Sequence, residues 1–145
     1  MIFSYCCLDT WFVLWSNIQI FDADKDNILL QCLDSSEEIK KTLPYEAIQK
    51  ISDIIEENDM IFSFTSDEIS EAIAENLNSQ RIIIMDGCFE SICFSDTVHQ
   101  ANFSVNNIRY VKNSASEKLQ LLLRVSNKIF SILSEYGIES KYFGL

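Results

Sequence analysis

The chain has 145 residues and a formal charge of −11, with only three glycines and one proline. This length suits one domain with its own core, and the scarcity of glycine and proline excludes linker-rich and low-complexity chains. No apolar run approaches the roughly 20 residues of a membrane span, and the first residues lack the features of a signal peptide. We therefore expect a single domain over residues 1–145, located in the cytoplasm.

The negative charge is concentrated in the first half of the chain. Residues 1–80 hold 16 acidic and 4 basic side chains, a net charge of −12, whereas residues 81–145 hold 6 and 7, a net charge of +1. This balance disfavours nucleic acid and anionic membranes as partners, and it favours a basic protein partner that long-range attraction steers toward the acidic half. Solubility alone is the competing explanation for the excess charge.

The first elements are predicted to be strands. Residues 2–7 and 11–21 are rich in apolar and aromatic side chains, and residues 11–15 are apolar at every position, as in a central strand covered on both faces. A polar turn follows at residues 22–27, and residues 28–33 return as the second strand of a hairpin. Residues 34–38 are predicted as a loop or the start of a short helix.

Two amphipathic helices come next. The first is predicted over Leu43 to Glu57, with Thr42 as its cap and Pro44 in its first turn. Residues 60–64 are predicted as a short strand or a buried crossing. The second helix begins at a capping box, Thr65-x-x-Glu68, and continues to about Leu77. The stripes predicted to face the core are Ala47, Ile48, Ile51, Ile54 and Ile55 on the first helix, and Ile69, Ala72, Ile73 and Leu77 on the second.

Residues 81–111 are predicted to form a β-meander. Ile82 to Met85 is a β-branched apolar run, and Asp86-Gly87 favours a type I′ turn, so Cys88 to Phe94 should fold back beside that run. A second turn at residues 95–97 leads to a strand at residues 100–105, where apolar and polar side chains alternate. One face of this sheet should meet the core.

The longest helix follows the meander. Ser114-x-x-Glu117 matches a capping box, and Gly137 suits a left-handed C-cap. The tail from Ile138 to Leu145 is apolar enough to dock. The stripe of this helix consists of Leu119, Leu122, Val125, Ile129, Leu133 and Tyr136, widened by Leu121, Leu123, Phe130 and Ile132. The predicted fold is α+β, a mostly antiparallel sheet with a long C-terminal helix packed on it.

The sequence contains no recognisable catalytic or metal-binding motif. Asp22, Asp24 and Asp26 have the spacing of the first half of an EF-hand loop, but position twelve is Leu33, where calcium needs a bidentate glutamate. The single histidine, His99, is expected on the surface or on an edge strand. The five cysteines lack paired spacing, and we expect them to be reduced and mostly buried. Neither a cofactor nor enzymatic activity is predicted.

The C-terminal two-thirds carries a resemblance to a known class of protein. The pattern is a short strand, Asp86-Gly87, an aromatic-rich strand ending Phe94-Ser95-Asp96, then Asn106-Asn107-Ile108, and a Leu-rich helix through Ile132-Leu133 and Tyr136-Gly137-Ile138 to the tail Lys141-Tyr142-Phe143 and Leu145. It resembles small immunity proteins encoded beside bacterial polymorphic toxins, including those of contact-dependent growth inhibition systems. The resemblance implies a single-domain, acidic, cytoplasmic antitoxin that binds one cognate toxin stoichiometrically and has no catalytic residues.

Resemblance and charge together predict an immunity protein whose partner is a basic toxin domain, most simply a nuclease. A nuclease contacts phosphates, so an acidic protein can cover its cleft by imitating the charge of nucleic acid. The candidate partner-binding residues are Asp22, Asp24, Asp26, Glu46, Asp53, Glu56, Glu57, Glu68, Glu71 and Glu75. A monomer is favoured. The alternatives are an acidic scaffold or regulatory binding module without a toxin partner and, less favoured, a small hydrolase.

Overall fold

The computed structural model describes residues 1–11, 13–33 and 35–143. The strands are β1 (Phe3–Asp9), β2 (Leu14–Ile20), β3 (Ile28–Cys32), β4 (Ser35–Lys41), β5 (Cys88–Ser95) and β6 (Gln100–Asn106), and the helices are α1 (Tyr45–Glu57), α2 (Ser66–Ser79) and α3 (Glu117–Glu135). The strands form one antiparallel sheet in the order β4-β3-β2-β1-β5-β6. The predicted single α+β domain, with a long C-terminal helix, is confirmed.

The core lies between the helices and one face of the sheet. Phe3 and Tyr5 of β1 meet the ring of Phe130 on α3 edge-on, with centroids 5.8 and 5.7 Å apart. The alternate positions of the strands, such as Ser4 and Asn17, point to the other face and are only partly buried. The predicted stripe of α3 is largely confirmed, because its buried residues are Leu119, Leu122, Val125, Ser126, Ile129, Phe130, Ile132 and Leu133.

The first strand of the predicted β-meander is not a strand in the structure. Residues 82–85 form a loop, in which Ile83 and Met85 are 84% and 88% exposed, and β5 pairs instead with β1. Gly87 does not have a positive φ, so the predicted type I′ turn is also wrong. Glycine is needed there for space, since a Cβ would lie 2.6 Å from Oδ1 of Asn107. That oxygen accepts a 2.9 Å hydrogen bond from the backbone N–H of Cys88 and fixes the start of β5.

The N-terminal hairpin is confirmed, but β2 starts three residues later than predicted. Oδ1 of Asp9 accepts hydrogen bonds from the backbone N–H groups of Trp11 and Val13, both at 2.8 Å, and holds this segment in a turn. Strand pairing therefore resumes only at Leu14. Phe12, which belongs to the predicted apolar run, lies outside the described residues.

The edge strand β4 replaces the loop or short helix predicted for residues 34–38; Asp34 lies outside the described residues. Its sequence, Ser-Ser-Glu-Glu-Ile-Lys-Lys, is too polar to be recognised as a strand. Charged side chains are typical of edge strands, because they discourage pairing with other chains. The opposite edge, β6, is covered by α2: the Ser66 hydroxyl donates to the carbonyl of Asn102 and accepts from the N–H of Ser104, both at 3.2 Å.

The first two helices follow the prediction except at one cap. The N-cap of α1 is Pro44, without a side-chain hydrogen bond, and the predicted cap Thr42 instead accepts a 3.1 Å bond from the backbone N–H of Asp26. The capping box of α2 is confirmed, with Thr65 accepting from the N–H of Glu68 at 3.2 Å and the Glu68 carboxylate accepting from the N–H of Thr65 at 3.0 Å. Residues 60–64 were predicted as a short strand or a buried crossing, but the structure has a 3₁₀ turn at Asp59–Ser63.

The N-cap of α3 lies two residues later than predicted. Ser116 is the N-cap, and its hydroxyl accepts a 3.3 Å bond from the N–H of Leu119, so the predicted capping box at Ser114 is wrong. Gly137 ends the helix as predicted, with a φ of 84°. The tail docks through buried Tyr142, while Leu145 lies outside the described residues. Across the described part of the chain, no helix has the length and apolar character needed to span a membrane.

Candidate protein-binding surfaces

The two ends of the sheet differ in chemistry. Because β1 is antiparallel to β2 and β5, the β2–β3 turn (residues 21–27) and the β5–β6 turn (residues 96–99) lie at one end, which we call the acidic end. The β1–β2 turn (residues 10–13) and the loop before β5 (residues 82–87) lie at the other, which we call the apolar end. Each end exposes side chains suited to contact with a partner.

Carboxylates from three separate segments meet at the acidic end. Asp22 of the β2–β3 turn, Glu56 of α1 and Asp96 of the β5–β6 turn line one open cleft of about 250 Å³. The backbone N–H groups of His99 and Val98 donate to Oδ1 of Asp96 at 2.6 and 2.7 Å, and these bonds lower the pKa of its carboxyl group. The cleft therefore carries negative charge at neutral pH.

The structure places all ten predicted partner-binding carboxylates on the surface; they are Asp22, Asp24, Asp26, Glu46, Asp53, Glu56, Glu57, Glu68, Glu71 and Glu75. It brings Asp22 and Glu56 together, and neither forms an ion pair with a described basic side chain. Two others are paired within the chain. Glu46 lies 3.4 Å from Lys50, and Glu68 lies 2.6 Å from Lys118, so these two offer less free charge to a partner.

A buried asparagine fixes the acidic turn against α1. Nδ2 of Asn27 donates to the carbonyls of Ala23 and Leu43 at 3.0 and 2.9 Å, and its Oδ1 accepts from the N–H of Leu43 at 2.7 Å. The sequence predicted a solvated turn, and Asn27 is the one residue of it that is fully buried. Because Leu43 leads into α1, these bonds set the position of the turn relative to the helix that carries Glu56.

The apolar end exposes several large side chains. Trp11 is 81% exposed on the β1–β2 turn, and Ile83 and Met85 project from the loop before β5. Thr10 and Met85 line one cleft together with Phe89, which shows that turn and loop are adjacent. Exposed tryptophan and methionine are enriched where proteins bind one another. Sequence analysis missed this surface, because its second segment has the pattern of a buried strand.

A buried ion pair lies on the core side of the sheet. Oε1 of Glu90 accepts hydrogen bonds from the Tyr5 hydroxyl at 3.0 Å and from Nε of Arg109 at 3.2 Å. Nη2 of Arg109 also donates to Tyr5 Oη at 3.1 Å and lies 3.0 Å from Cys7 Sγ. Burial raises the pKa of Glu90, which Arg109 opposes, and burial raises the pKa of the Cys7 thiol to about 12. The cluster therefore has the character of a structural clamp, not of a nucleophile with its base.

Histidine and cysteine side chains are the other groups with chemical reactivity. His99 is exposed, as predicted, and its ring nitrogen lies 3.2 Å from the Asp96 carboxylate. The five cysteines are free thiols, four of them buried. Within the described residues, no group of histidine, cysteine and carboxylate side chains has the arrangement to hold a metal ion.

The chain matches no protein-family model, no curated protein and no solved structure. Its function must therefore be inferred from the two exposed surfaces.

Proposed function

We propose that the protein is an immunity protein that binds a cognate basic toxin domain of nuclease type and neutralises it in a stoichiometric complex. The observation that carries this proposal is the acidic end, where Asp22, Glu56 and Asp96 converge from three segments on one cleft. Like charges held close together on a fixed frame cost self-repulsion in the free protein. A basic partner relieves that repulsion, and few other ligands would.

The chemistry of a nuclease supplies the complementary surface. An enzyme that cleaves nucleic acid holds phosphates with lysine and arginine, so its cleft is a concentrated positive field. The carboxylates of the acidic end can occupy that field as phosphates do. Their main effect is on the rate of encounter, because exposed charges accelerate association more than they strengthen the final complex.

The apolar end supplies large apolar side chains, which can strengthen a complex in a way that exposed carboxylates do not. Tight complexes depend on a few large side chains that become fully desolvated, most often tryptophan, tyrosine or arginine. Trp11 and Met85 meet that description. The ends are separated by the seven residues of β1, which span about 23 Å at roughly 3.3 Å per residue. A standard interface of about 800 Å² per partner is wide enough to include both.

Growth protection tests the proposal directly. The reading frame immediately upstream of the gene for this chain should arrest growth when expressed alone in a bacterial host, and co-expression of this chain should restore growth. The two products should co-purify as one stoichiometric complex, and the toxin product should be a small basic domain. A harmless upstream product, or a toxic one against which this chain gives no protection, would contradict the proposal. Several weak partners would favour the scaffold alternative, and turnover by the isolated chain would favour the hydrolase.

A further inference from the structure

A third cleft lies between strands β2 and β3 and the C-terminal 3₁₀ turn Ser140–Tyr142, at the end of β2 that follows the β1–β2 turn. It has a volume of about 290 Å³ and is lined by Trp15, Ser16, Cys32, Leu33, Arg109, Ser140, Lys141 and Phe143. We call it the Ser16 cleft. Its size is close to the lower limit of small-molecule sites, about 300 Å³.

Ser16 is the unusual residue of this cleft. Its side chain is 3% exposed, and its hydroxyl has no hydrogen-bond partner among the described residues. A β-bulge lies beside it, since the register passes from Cys7 opposite Ser16 to Leu8 opposite Leu14 and leaves Trp15 without a partner in β1. Buried hydroxyl groups are nearly always hydrogen-bonded, so an unpaired one that lines a cleft indicates a missing acceptor.

The rest of the lining is rich in donors. Arg109 is held in place by Glu90 and Tyr5, and its guanidinium lies 5.0 Å from the centre of the Trp15 ring. Lys141 is half-exposed at the rim, where Nζ lies 3.1 Å from the Glu139 carboxylate. Among the described residues that line the cleft there is no carboxylate. The other walls are apolar and aromatic, chiefly Trp15, Leu33 and Phe143.

We propose that the Ser16 cleft binds a carboxylate carried on an apolar body. The Ser16 hydroxyl donates to the carboxylate, Lys141 and Arg109 offer further N–H donors beside those that pair with Glu139 and Glu90, and Trp15 and Phe143 contact the body. Such a ligand gives a partner to the unpaired hydroxyl of Ser16 and meets no carboxylate among the described lining residues. The carboxylate can belong to a small free acid or to an acidic side chain of a protein. This proposal does not depend on the proposed toxin complex.

Phenylacetate is a suitable first probe, with phenylacetamide as its uncharged control. Trp11→Phe leaves Trp15 as the reporter, because the chain has two tryptophans and Trp11 is exposed and does not line this cleft. We expect saturable quenching of Trp15 fluorescence by phenylacetate, and binding of phenylacetamide weaker by about tenfold, as for the loss of one charged hydrogen bond. The second arm is a blocked tripeptide with glutamate between two leucines. The tighter of the two probes identifies the source of the carboxylate.

Two variants separate a binding role of Ser16 from a packing role. Ser16→Ala should weaken phenylacetate binding by about tenfold while the melting temperature stays equal or rises, because an unpaired buried hydroxyl is removed. Lys141→Gln should also weaken binding, whereas Lys128→Gln, on the outer face of α3, should not. The proposal is overturned if neither probe binds, if phenylacetamide binds as well as phenylacetate, or if Ser16→Ala leaves the affinity unchanged. A lower melting temperature for Ser16→Ala would show that the hydroxyl already has a partner and would also overturn it.

Discussion

The hydroxyl of Tyr5 donates a 3.0 Å hydrogen bond to Oε1 of Glu90, a residue 85 positions further along the chain. This contact joins β1 to β5 at the centre of the sheet, and Arg109 completes it from the segment that follows β6. Glu90 is fully buried, so its charge depends on these partners. The pairing of the two halves of the chain is therefore linked to a buried ion pair.

Arg109→Met should lower the free energy of unfolding by about 3–5 kcal/mol, because it leaves the Glu90 carboxylate buried and unpaired. Glu90→Leu should lower the free energy of unfolding by a similar amount, since it leaves the Arg109 guanidinium without its carboxylate partner. The double variant Glu90→Leu, Arg109→Met should recover most of the loss. Urea unfolding of the four proteins measures the coupling. Additive losses would show that the two side chains do not act as a pair.

The cost of Arg109→Met should depend on pH. The pKa of Glu90 in the folded protein is raised above its ordinary value of 4.5 by burial, and Arg109 opposes that rise. Without Arg109 the folded pKa rises further, so the folded state binds a proton that the unfolded state releases. The variant should lose stability relative to the parent as pH rises through the folded pKa of Glu90 in the parent, which lies above 4.5, and the gap should narrow below that point. The free energies of unfolding of parent and variant are compared at several pH values between 4 and 7. A difference that does not change with pH would contradict the prediction, because it would mean that Glu90 stays ionised in the variant.

Leu122→Ala should lower the free energy of unfolding by about 2–5 kcal/mol, because the side chain is fully buried between α3 and the sheet and its removal leaves a cavity. Lys128→Ala, on the exposed face of the same helix, is the matched control and should change stability by less than about 0.5 kcal/mol. Thermal and urea denaturation distinguish the two. Equal effects would mean that the stripe of α3 is not what holds it to the sheet.

Asn27→Ala should cost about 2–3 kcal/mol, because it removes three hydrogen bonds at the acidic turn and leaves buried backbone groups of Leu43 unpaired. The control Asp24→Ala, at an exposed position of the same turn, should change stability by less than about 0.5 kcal/mol. Hydrogen exchange at the start of α1 should increase in the first variant alone. Unchanged exchange would show that the turn and α1 are positioned independently.

Local patterns predicted the helices and five of the six described strands, because alternating and amphipathic stripes, one capping box and the Gly137 cap are encoded within a few residues of one another. The edge strand β4 could not be predicted in this way. Its polar sequence has no apolar face to reveal it, and its strand conformation depends on pairing with β3. The prediction of a strand at residues 82–85 was wrong for the opposite reason. This loop has a strand-like pattern, but β1 occupies the place beside β5.

The candidate surfaces were only partly predictable. Exposure of the carboxylates followed from their charge, whereas the meeting of Asp22, Glu56 and Asp96 depends on contacts between distant segments. One missed feature did leave a trace in the sequence. Glu90 occupies the inward position between Cys88 and Ile92 of β5, and a charge at such a position indicates a buried partner. Nothing local identified that partner as Arg109.

The structure also decides which charges are suitable for testing the toxin complex. Glu68 closes the capping box of α2 and pairs with Lys118, so its reversal would disturb the helix as well as the charge. Asp24 and Glu56 are exposed, and neither pairs with a described basic side chain. Glu135 and Glu139 form a control pair that changes the total charge by the same amount; Glu139 pairs with exposed Lys141 but, unlike Glu68, makes no side-chain cap hydrogen bond.

The rate of association with the purified toxin domain, measured by stopped flow at low and high salt, tests the central proposal most directly. Asp24→Lys with Glu56→Lys should slow association by about tenfold or more at low salt, and the difference should shrink as salt screens the field. Glu135→Lys with Glu139→Lys should change the rate by less than about twofold. Equal slowing by both pairs, or a rate that does not depend on salt, would contradict binding through the acidic end and would leave the charge a role in solubility alone.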